Sequence, residues 1–245
     1  MKITSTNNDL IKEIVKLKNK KIDRFLIEGQ KAIQEAYDAN IKIEYLFILE
    51  GKEDLYDFCK IEKIIASEHV LKKISTTDSA PTAVAVGYKR KLANSPLKNK
   101  KTVALFENIK DAGNLGTIIR SAAAFGINDI VLYGNTVDEY NPKCIRSCAG
   151  NFWKVNIYHI KDFSELNELF SNFERIATLP HGKSKLNINS KNKLIMFGSE
   201  AEGLSEELKN FASDILTLET NNAVESLNLS VSAGIVFYKI FIEKI

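Results

Sequence analysis

The chain has 245 residues, 44% hydrophobic and 27% charged, which excludes a globally disordered polymer and suits one large domain or two small ones. Its net charge is only +3, so whole-chain charge does not identify a nucleic-acid partner. The longest apolar stretch, Leu229 to Ile242, is broken by Ser230, Ser232 and Lys239, which argues against a membrane span. Met1-Lys2-Ile3-Thr4-Ser5 has no apolar signal core, and three cysteines are too few and too odd for a disulfide framework. A reducing, cytoplasmic setting is expected.

From the amino terminus, Leu10, Ile11, Ile14, Val15 and Leu17 recur at helical spacing, with Ser5, Thr6 or Asn7 as the cap. Arg24-Phe25-Leu26-Ile27 reads as a strand, running through Glu28-Gly29-Gln30 into a helix that ends near Ala39. Further strands are predicted at Ile41–Leu49, Ile61–Ile65 and Ala83–Tyr88, with helical turns at Leu55–Phe58 and Val70–Ile74. Together these make a small α/β domain, residues 1–90. Residues 91–101, charged and carrying Asn94-Ser95-Pro96, read as a basic linker. Residues 102–245 form the second domain. Its strands are predicted at Val103–Phe106, Ile130–Tyr133, Val155–Tyr158, Ile176–Leu179, Leu194–Phe197 and Ile215–Leu218. Its helices are predicted at Thr117–Phe125, Pro142–Gly150, Asp162–Phe173, Leu204–Phe211 and Leu227–Ile242, with Asp162 and Glu165 placed as a capping box. Such alternation gives a mostly parallel sheet covered on both faces.

The charge is uneven. Residues 1–100 carry 19 Lys and Arg against 14 Asp and Glu; residues 101–245 carry 15 against 17. The surplus gathers at Lys12, Lys16, Lys18, Lys20, Lys21 and Arg24, and again at Lys89, Arg90, Lys91, Lys98, Lys100 and Lys101. Such clusters neutralise phosphates or simply solvate helices and linkers, and charge alone leaves both open.

Three polar, glycine-bearing segments follow apolar runs and precede helical patterns, as ligand loops of open α/β sheets do. They are Asn108 to Arg120, Phe197 to Ser205, and Glu225 to Ser230. The usual ligand codes fail on them. Gly113-Asn114-Leu115-Gly116 is not the dinucleotide fingerprint. Gly182-Lys183-Ser184 lacks the glycine a phosphate loop needs at position 177, and no Gly-x-Ser-x-Gly elbow occurs. Cys144 and Cys148 lie one helical turn apart without a second ligand pair, and His69, His159 and His181 form no spaced set, so no metal is expected. The loops instead carry donors: Asn108, Asn114, Arg120, Ser226 and Asn228.

These residues resemble the SpoU/TrmH-type RNA 2′-O-ribose methyltransferases of the SPOUT superfamily. The first family motif is similar to Asn108-Ile109-Lys110-Asp111-Ala112-Gly113-Asn114-Leu115-Gly116 running to Arg120 and Gly126. The second is similar to Phe197-Gly198-Ser199-Glu200-Ala201-Glu202-Gly203-Leu204, and the third to Glu225-Ser226-Leu227-Asn228-Leu229-Ser230. Phe25-Leu26-Ile27-Glu28-Gly29 fits the entry to the family's substrate-binding domain. The resemblance implies an α/β fold with a small RNA-binding domain in front of a trefoil-knotted parallel-sheet domain. It further implies S-adenosylmethionine held at Gly198, Leu218 and Leu227, a homodimer, and structured RNA as substrate, ribosomal before transfer RNA. Two positions depart from the family pattern: Ala112 stands where proline is usual, and Leu218-Glu219-Thr220 stands where Ile-Pro-Met is usual.

The implied reaction is methylation of a ribose 2′-hydroxyl. Family proposals make the motif-one arginine, here Arg120, the base. A guanidinium with a pKa above about 12 supplies little free base at neutral pH. Arg120 is therefore read as a phosphate clamp that favours loss of the hydroxyl proton to phosphate or water. Asn114 would orient ribose or phosphate, Glu200 would fix the second loop against the first helix, and Ser226 and Asn228 would position the hydroxyl and cap the last helix. Arg24, Lys89, Arg90, Lys143 and Arg146 are the expected RNA contacts. Tyr140 offers a stacking face, while Trp153 fits the core better. A catalytically inactive RNA-binding or assembly factor on the same scaffold is the alternative, and a dinucleotide-dependent oxidoreductase a third reading that lacks its fingerprint.

Overall fold

The computed structural model describes residues 1–18, 23–180, 192–221 and 226–243. Lys20, Lys21, His181, the Gly182-Lys183-Ser184 run and Glu225 lie outside the described residues. The chain divides into two compact units. Unit 1 comprises Met1–Lys91 and Asp138–Trp153; unit 2 comprises Leu92–Val137 and Lys154–Ile245.

Unit 1 is built on a five-stranded sheet. Its strands are β1 (Lys2–Ile3), β2 (Arg24–Glu28), β3 (Ile43–Leu49), β4 (Lys63–Ala66) and β5 (Ala83–Tyr88), in the order β1-β4-β3-β5-β2. β1, β4 and β3 run parallel, whereas β5 is antiparallel to both β3 and β2. The helices are α1 (Asp9–Lys16), α2 (Gln30–Asp38) and α3 (Glu68–Ile74). α1 begins where Asn8 accepts a bond from the Leu10 amide. The packing of α1 and α3 on the sheet buries Ile11, Ile14, Phe47, Val70, Leu71 and Val84 in one cluster.

The segment Asp138–Trp153, expected within the second domain, packs instead with unit 1. It carries α5 (Pro142–Ser147), which lies against β2. The Tyr140 ring lies 4.6 Å from Phe25 and tilted 54° to it, and the Trp153 ring lies 6.0 Å from Phe25, tilted 51°. The Tyr140 hydroxyl accepts from the Arg90 amide at 2.8 Å and donates to the Arg90 carbonyl at 3.1 Å. Both aromatics thus serve packing.

Unit 2 contains a six-stranded, all-parallel sheet. Its strands are β6 (Thr102–Glu107), β7 (Asp129–Tyr133), β8 (Asn156–Ile160), β9 (Glu174–Thr178), β10 (Lys193–Phe197) and β11 (Asp214–Leu216). The order is β11-β9-β10-β6-β7-β8. β10 and β6 lie centrally with wholly or largely buried runs such as Leu194–Phe197 and Val103–Glu107, as helix coverage of both faces requires. α4 (Ala112–Ala124), α6 (Phe163–Phe170), α7 (Glu206–Phe211) and α8 (Leu229–Ile242) complete it.

Two local expectations are corrected. Residues 92–101 are part of unit 2, not a free linker. Leu97 is fully buried in the core, the Asn94 amide donates to the His159 carbonyl and the Glu165 carboxylate, and Lys98 and Lys100 pair with Glu168 and Asp129. Asp162 stands at the cap of α6 but its side chain makes no capping bond, and the Glu165 carboxylate, the other half of the expected box, accepts from Asn94. No described helix is long and apolar enough to cross a membrane.

Candidate active site

The first two expected loops leave the carboxyl ends of the parallel strands β6 and β10, and the described part of the third, residues 226–228, leads into α8. β6 ends at Glu107, and the chain passes through Asn108, with φ of 51°, into α4. The Asn108 side-chain oxygen accepts from the Asn135 amide at 2.8 Å, which ties this turn to the loop after β7. α4 opens earlier than its apolar periodicity suggests. Asp111 caps it, accepting from the Asn114 amide at 2.8 Å, so the helix starts at Ala112 despite the missing proline. Arg120 then falls on the third turn, about 9 Å along the axis and about 120° around from Asn114.

The second loop follows β10. Ser199 and Gly203 exchange two backbone bonds of 3.1 Å, closing a tight turn in which Gly203 has φ of 68°. Gly198 is required by close approach: a Cβ there would overlap the Gly203 carbonyl group and the Leu204 amide nitrogen. The exit is fixed by Glu107, a buried carboxylate at the end of β6 that accepts from the Ser205 amide at 2.8 Å. Ser205 itself caps α7. Nearby, the Tyr133 hydroxyl donates to Glu207 at 3.1 Å. Burial first, and then the Glu207 carboxylate, push the Tyr133 pKa up to about 12. Sequence reading missed Glu107 and Tyr133 because each resembles an ordinary strand-end residue.

Side chains join the loops. The Asn114 amide nitrogen donates to Glu200 at 2.9 Å, and its oxygen accepts from the Asn228 amide nitrogen at 3.2 Å. Asn228 in turn caps α8, its oxygen accepting from the Ser230 amide at 2.9 Å and from the Ser230 hydroxyl at 2.7 Å. Four of the expected residues or their neighbours thus form one chain: Glu200, Asn114, Asn228, Ser230. Arg120 and Ser226 stand outside it, both exposed. Arg120 makes no ion pair or hydrogen bond among the described residues, which leaves its fork of donors available for a ligand anion.

For the methyl donor, the relevant positions are the ends of β10 and β11 and the start of α8. Leu218 and Leu227 are half-buried, whereas Glu219 and Thr220 are exposed. Thr217, beside Leu218, has a buried hydroxyl without a hydrogen-bond partner. A buried unpaired hydroxyl costs about 1–3 kcal/mol, so this wall retains capacity for one polar contact from a bound group. A shaped glycine turn after β10, an unpaired hydroxyl and two half-buried leucines are groups of the kind that an amphipathic cofactor meets.

The expected RNA contacts divide differently. Arg24 is bonded to Glu13 and Glu44, Lys89 to Asp138, and Arg146 to Glu28 and the Thr76 hydroxyl. These three cations are already engaged inside unit 1. Lys143 is exposed on α5. Cys144 and Cys148 are buried, and the bond between the two thiols, followed by burial, raises the Cys144 pKa. Among the described residues no cluster of three His, Cys, Asp or Glu is arranged to hold a metal.

Comparison with known proteins agrees with this geometry. A family model described as the SpoU rRNA Methylase family matches residues 101–238, and one described as the MRM3-like substrate binding domain matches residues 8–85. The chain is 27% identical over 244 residues to the Bacillus subtilis 23S rRNA (guanosine(2553)-2′-O)-methyltransferase RlmP, covering 96% of this chain and 97% of that one. It is 28% identical over 252 residues to an uncharacterized tRNA/rRNA methyltransferase of Synechocystis, covering 97% and 92%. Among solved structures, the AdoMet-bound rRNA methyltransferase from Sinorhizobium meliloti superposes with a TM-score of 0.88 at 25% identity, over 100% of this chain and 98% of that one. A structure described as an RNA 2′-O ribose methyltransferase superposes with a TM-score of 0.82 at 29% identity, over 100% and 99%.

Proposed function

The chain belongs to the SpoU rRNA methylase family, and on that premise we propose that it methylates a ribose 2′-hydroxyl of ribosomal RNA, using S-adenosylmethionine. The observation that carries the reading is the bonded chain Glu200–Asn114–Asn228, which joins the loops after β6 and β10 to the cap of α8; Asn114 lies on α4, the helix that also bears Arg120, an arginine with no bonded partner among the described residues. The Bacillus subtilis relative, similar over nearly the full length of both chains, favours ribosomal over transfer RNA.

Gly198, Leu218 and Leu227, with the Thr217 hydroxyl, would hold the cofactor, which when bound would supply an electrophilic methyl group on a sulfonium. The remaining work is alignment and proton removal. Arg120 grips the phosphate beside the target ribose, and its fixed positive charge lowers the cost of forming an alkoxide at the 2′-oxygen. The proton leaves that oxygen for a neighbouring phosphate oxygen or water. Asn114, Glu200 and Asn228 act as positioning residues that keep the loops in register, and Ser226 meets the ribose.

The reading includes a knotted arrangement of the second unit and a homodimer in the cytoplasm. The dimer is supported by α8, which packs on α4 and yet exposes Val231, Ile235, Tyr238 and Ile242 at spacings of one helical turn. A second copy of the chain supplies the matching apolar surface.

Mapping 2′-O-methyl marks on total RNA with and without the protein tests the function, and calorimetry that finds no S-adenosylmethionine binding refutes it. For the arginine, Arg120→Lys keeps the charge but not the fork. It is expected to lower kcat at least tenfold with cofactor affinity unchanged; near-full turnover would rule out the clamp.

A further inference from the structure

In unit 1 the carboxyl ends of α1 and α3 are adjacent. The Lys18 ammonium donates to the Ser75 carbonyl, which directly follows α3, and the Lys72 ammonium donates to the Thr77 carbonyl at 3.0 Å. Lys73 is exposed beside Lys72, and Lys16 is exposed two residues before Lys18. None of the four makes an ion pair among the described residues. Glu68, one turn before Lys72, is exposed and pairs with neither lysine. The carboxylate that acts on Lys18 is Glu28, and it is held already by Arg146 and by the Thr76 amide and hydroxyl.

The cluster differs in this from Lys12, Arg24, Lys63 and Lys89, each of which has a carboxylate partner. Lys31, Lys42, Lys52 and Lys60 also make no ion pair among the described residues, but none of them stands at the adjoining carboxyl ends of α1 and α3. A place at a helix carboxyl end suits a single lysine, because the helix dipole favours it. It does not account for several charges gathered without a counter-ion. Burial lowers the Lys18 pKa, Glu28 opposes this, and the charges of Lys73 and Lys72 lower it further. The cluster therefore carries repulsion that an anion would relieve, and Lys18 and Lys72 are held in place by backbone carbonyls.

We propose that Lys18, Lys72 and Lys73, with Lys16 at the edge, form a phosphate-contacting surface for the backbone of the substrate RNA. The inference rests on the RNA methyltransferase reading and moves the grip of unit 1 from the paired residues Arg24, Lys89 and Arg146 to this unpaired set. Contacts of this kind read helix shape and phosphate spacing, with no base specificity.

The test is filter binding of the full-length protein to an unmodified 23S ribosomal RNA transcript between 50 and 200 mM salt. Each phosphate neutralised contributes a slope of about −0.7 to −0.9 to log K against log salt. The double variant Lys72→Ala/Lys73→Ala is expected to bind at least fivefold more weakly at 100 mM salt, with a slope shallower by about 1–2. The Lys72→Arg/Lys73→Arg variant should restore both. Equal affinity and slope for wild type and the alanine variant overturn the proposal, as does failure of the wild type to bind the transcript. Methyl transfer to the same transcript is scored separately. Wild-type transfer with an unaltered alanine variant removes the surface and leaves the function. Salt-sensitive binding through these lysines without transfer removes the function and leaves the surface.

Discussion

At Asn114 the amide is used from both ends: nitrogen toward Glu200, oxygen toward Asn228. Neither aspartate nor leucine offers a donor and an acceptor on one planar group. Both bonds are solvent-exposed, so each contributes only about 0.5–1.5 kcal/mol to stability, and their value lies in orientation. Asn228 shares its amide between this bridge and the cap of α8. The two roles can be separated. Asn228→Ala should lose about 1 kcal/mol of unfolding free energy with the cap. Asn228→Asp should keep the cap, since a carboxylate accepts from the Ser230 amide, yet cannot donate to Asn114. Urea unfolding and single-turnover methyl transfer then give near-normal stability with a turnover reduced about tenfold for the aspartate. Normal turnover would assign Asn228 to capping alone. These asparagines could be picked out from their motifs, but not their partnership. The bonded residues are 86 and 114 positions apart, and no local pattern encodes that pairing.

Among the elements, the long buried strands were legible and the ends were not. β6, β7 and β10 lie within one residue of their apolar runs because both faces are covered, and burial writes a continuous hydrophobic stretch. β11 is a short edge strand with Ile215 partly exposed, so its pattern is weaker and it ends two residues early. α4 begins five residues before its predicted start because a cap, not periodicity, sets that end. Residues 91–101 read as a linker from composition, since the burial of Leu97 depends on partners distant in sequence. Gly198 is expected as a cofactor position, and the turn after β10 adds a second reason for glycine there, the close approach of the Gly203 and Leu204 backbone. Gly198→Ala should displace Gly203 and Leu204, lower the Tm by several degrees and weaken S-adenosylmethionine binding at least tenfold by calorimetry. Unchanged cofactor affinity would detach this turn from the cofactor wall.

For the whole molecule, α8 carries an apolar stripe that a lone chain leaves exposed to water. Tyr238 and Phe241 also pack on Phe125 of the same chain, so the stripe stands on a fixed base. Charges at its centre, Val231→Glu with Ile235→Glu, should convert a dimer to a monomer in sedimentation and reduce methyl transfer. An unaltered sedimentation coefficient would place the partner surface elsewhere.

The inclusion of Asp138–Trp153 in unit 1 bears on how the chain is made. A ribosome that has released residues 1–91 has not yet supplied α5, so Phe25 waits without Tyr140 and Trp153, and Glu28 waits without Arg146. About 60 further residues must emerge, roughly 3–12 s of synthesis at ordinary rates. The strands of unit 2 through β7 appear in that interval. The amino-terminal unit is thus first to begin and cannot finish until part of its neighbour exists, which makes the order of synthesis a constraint on folding.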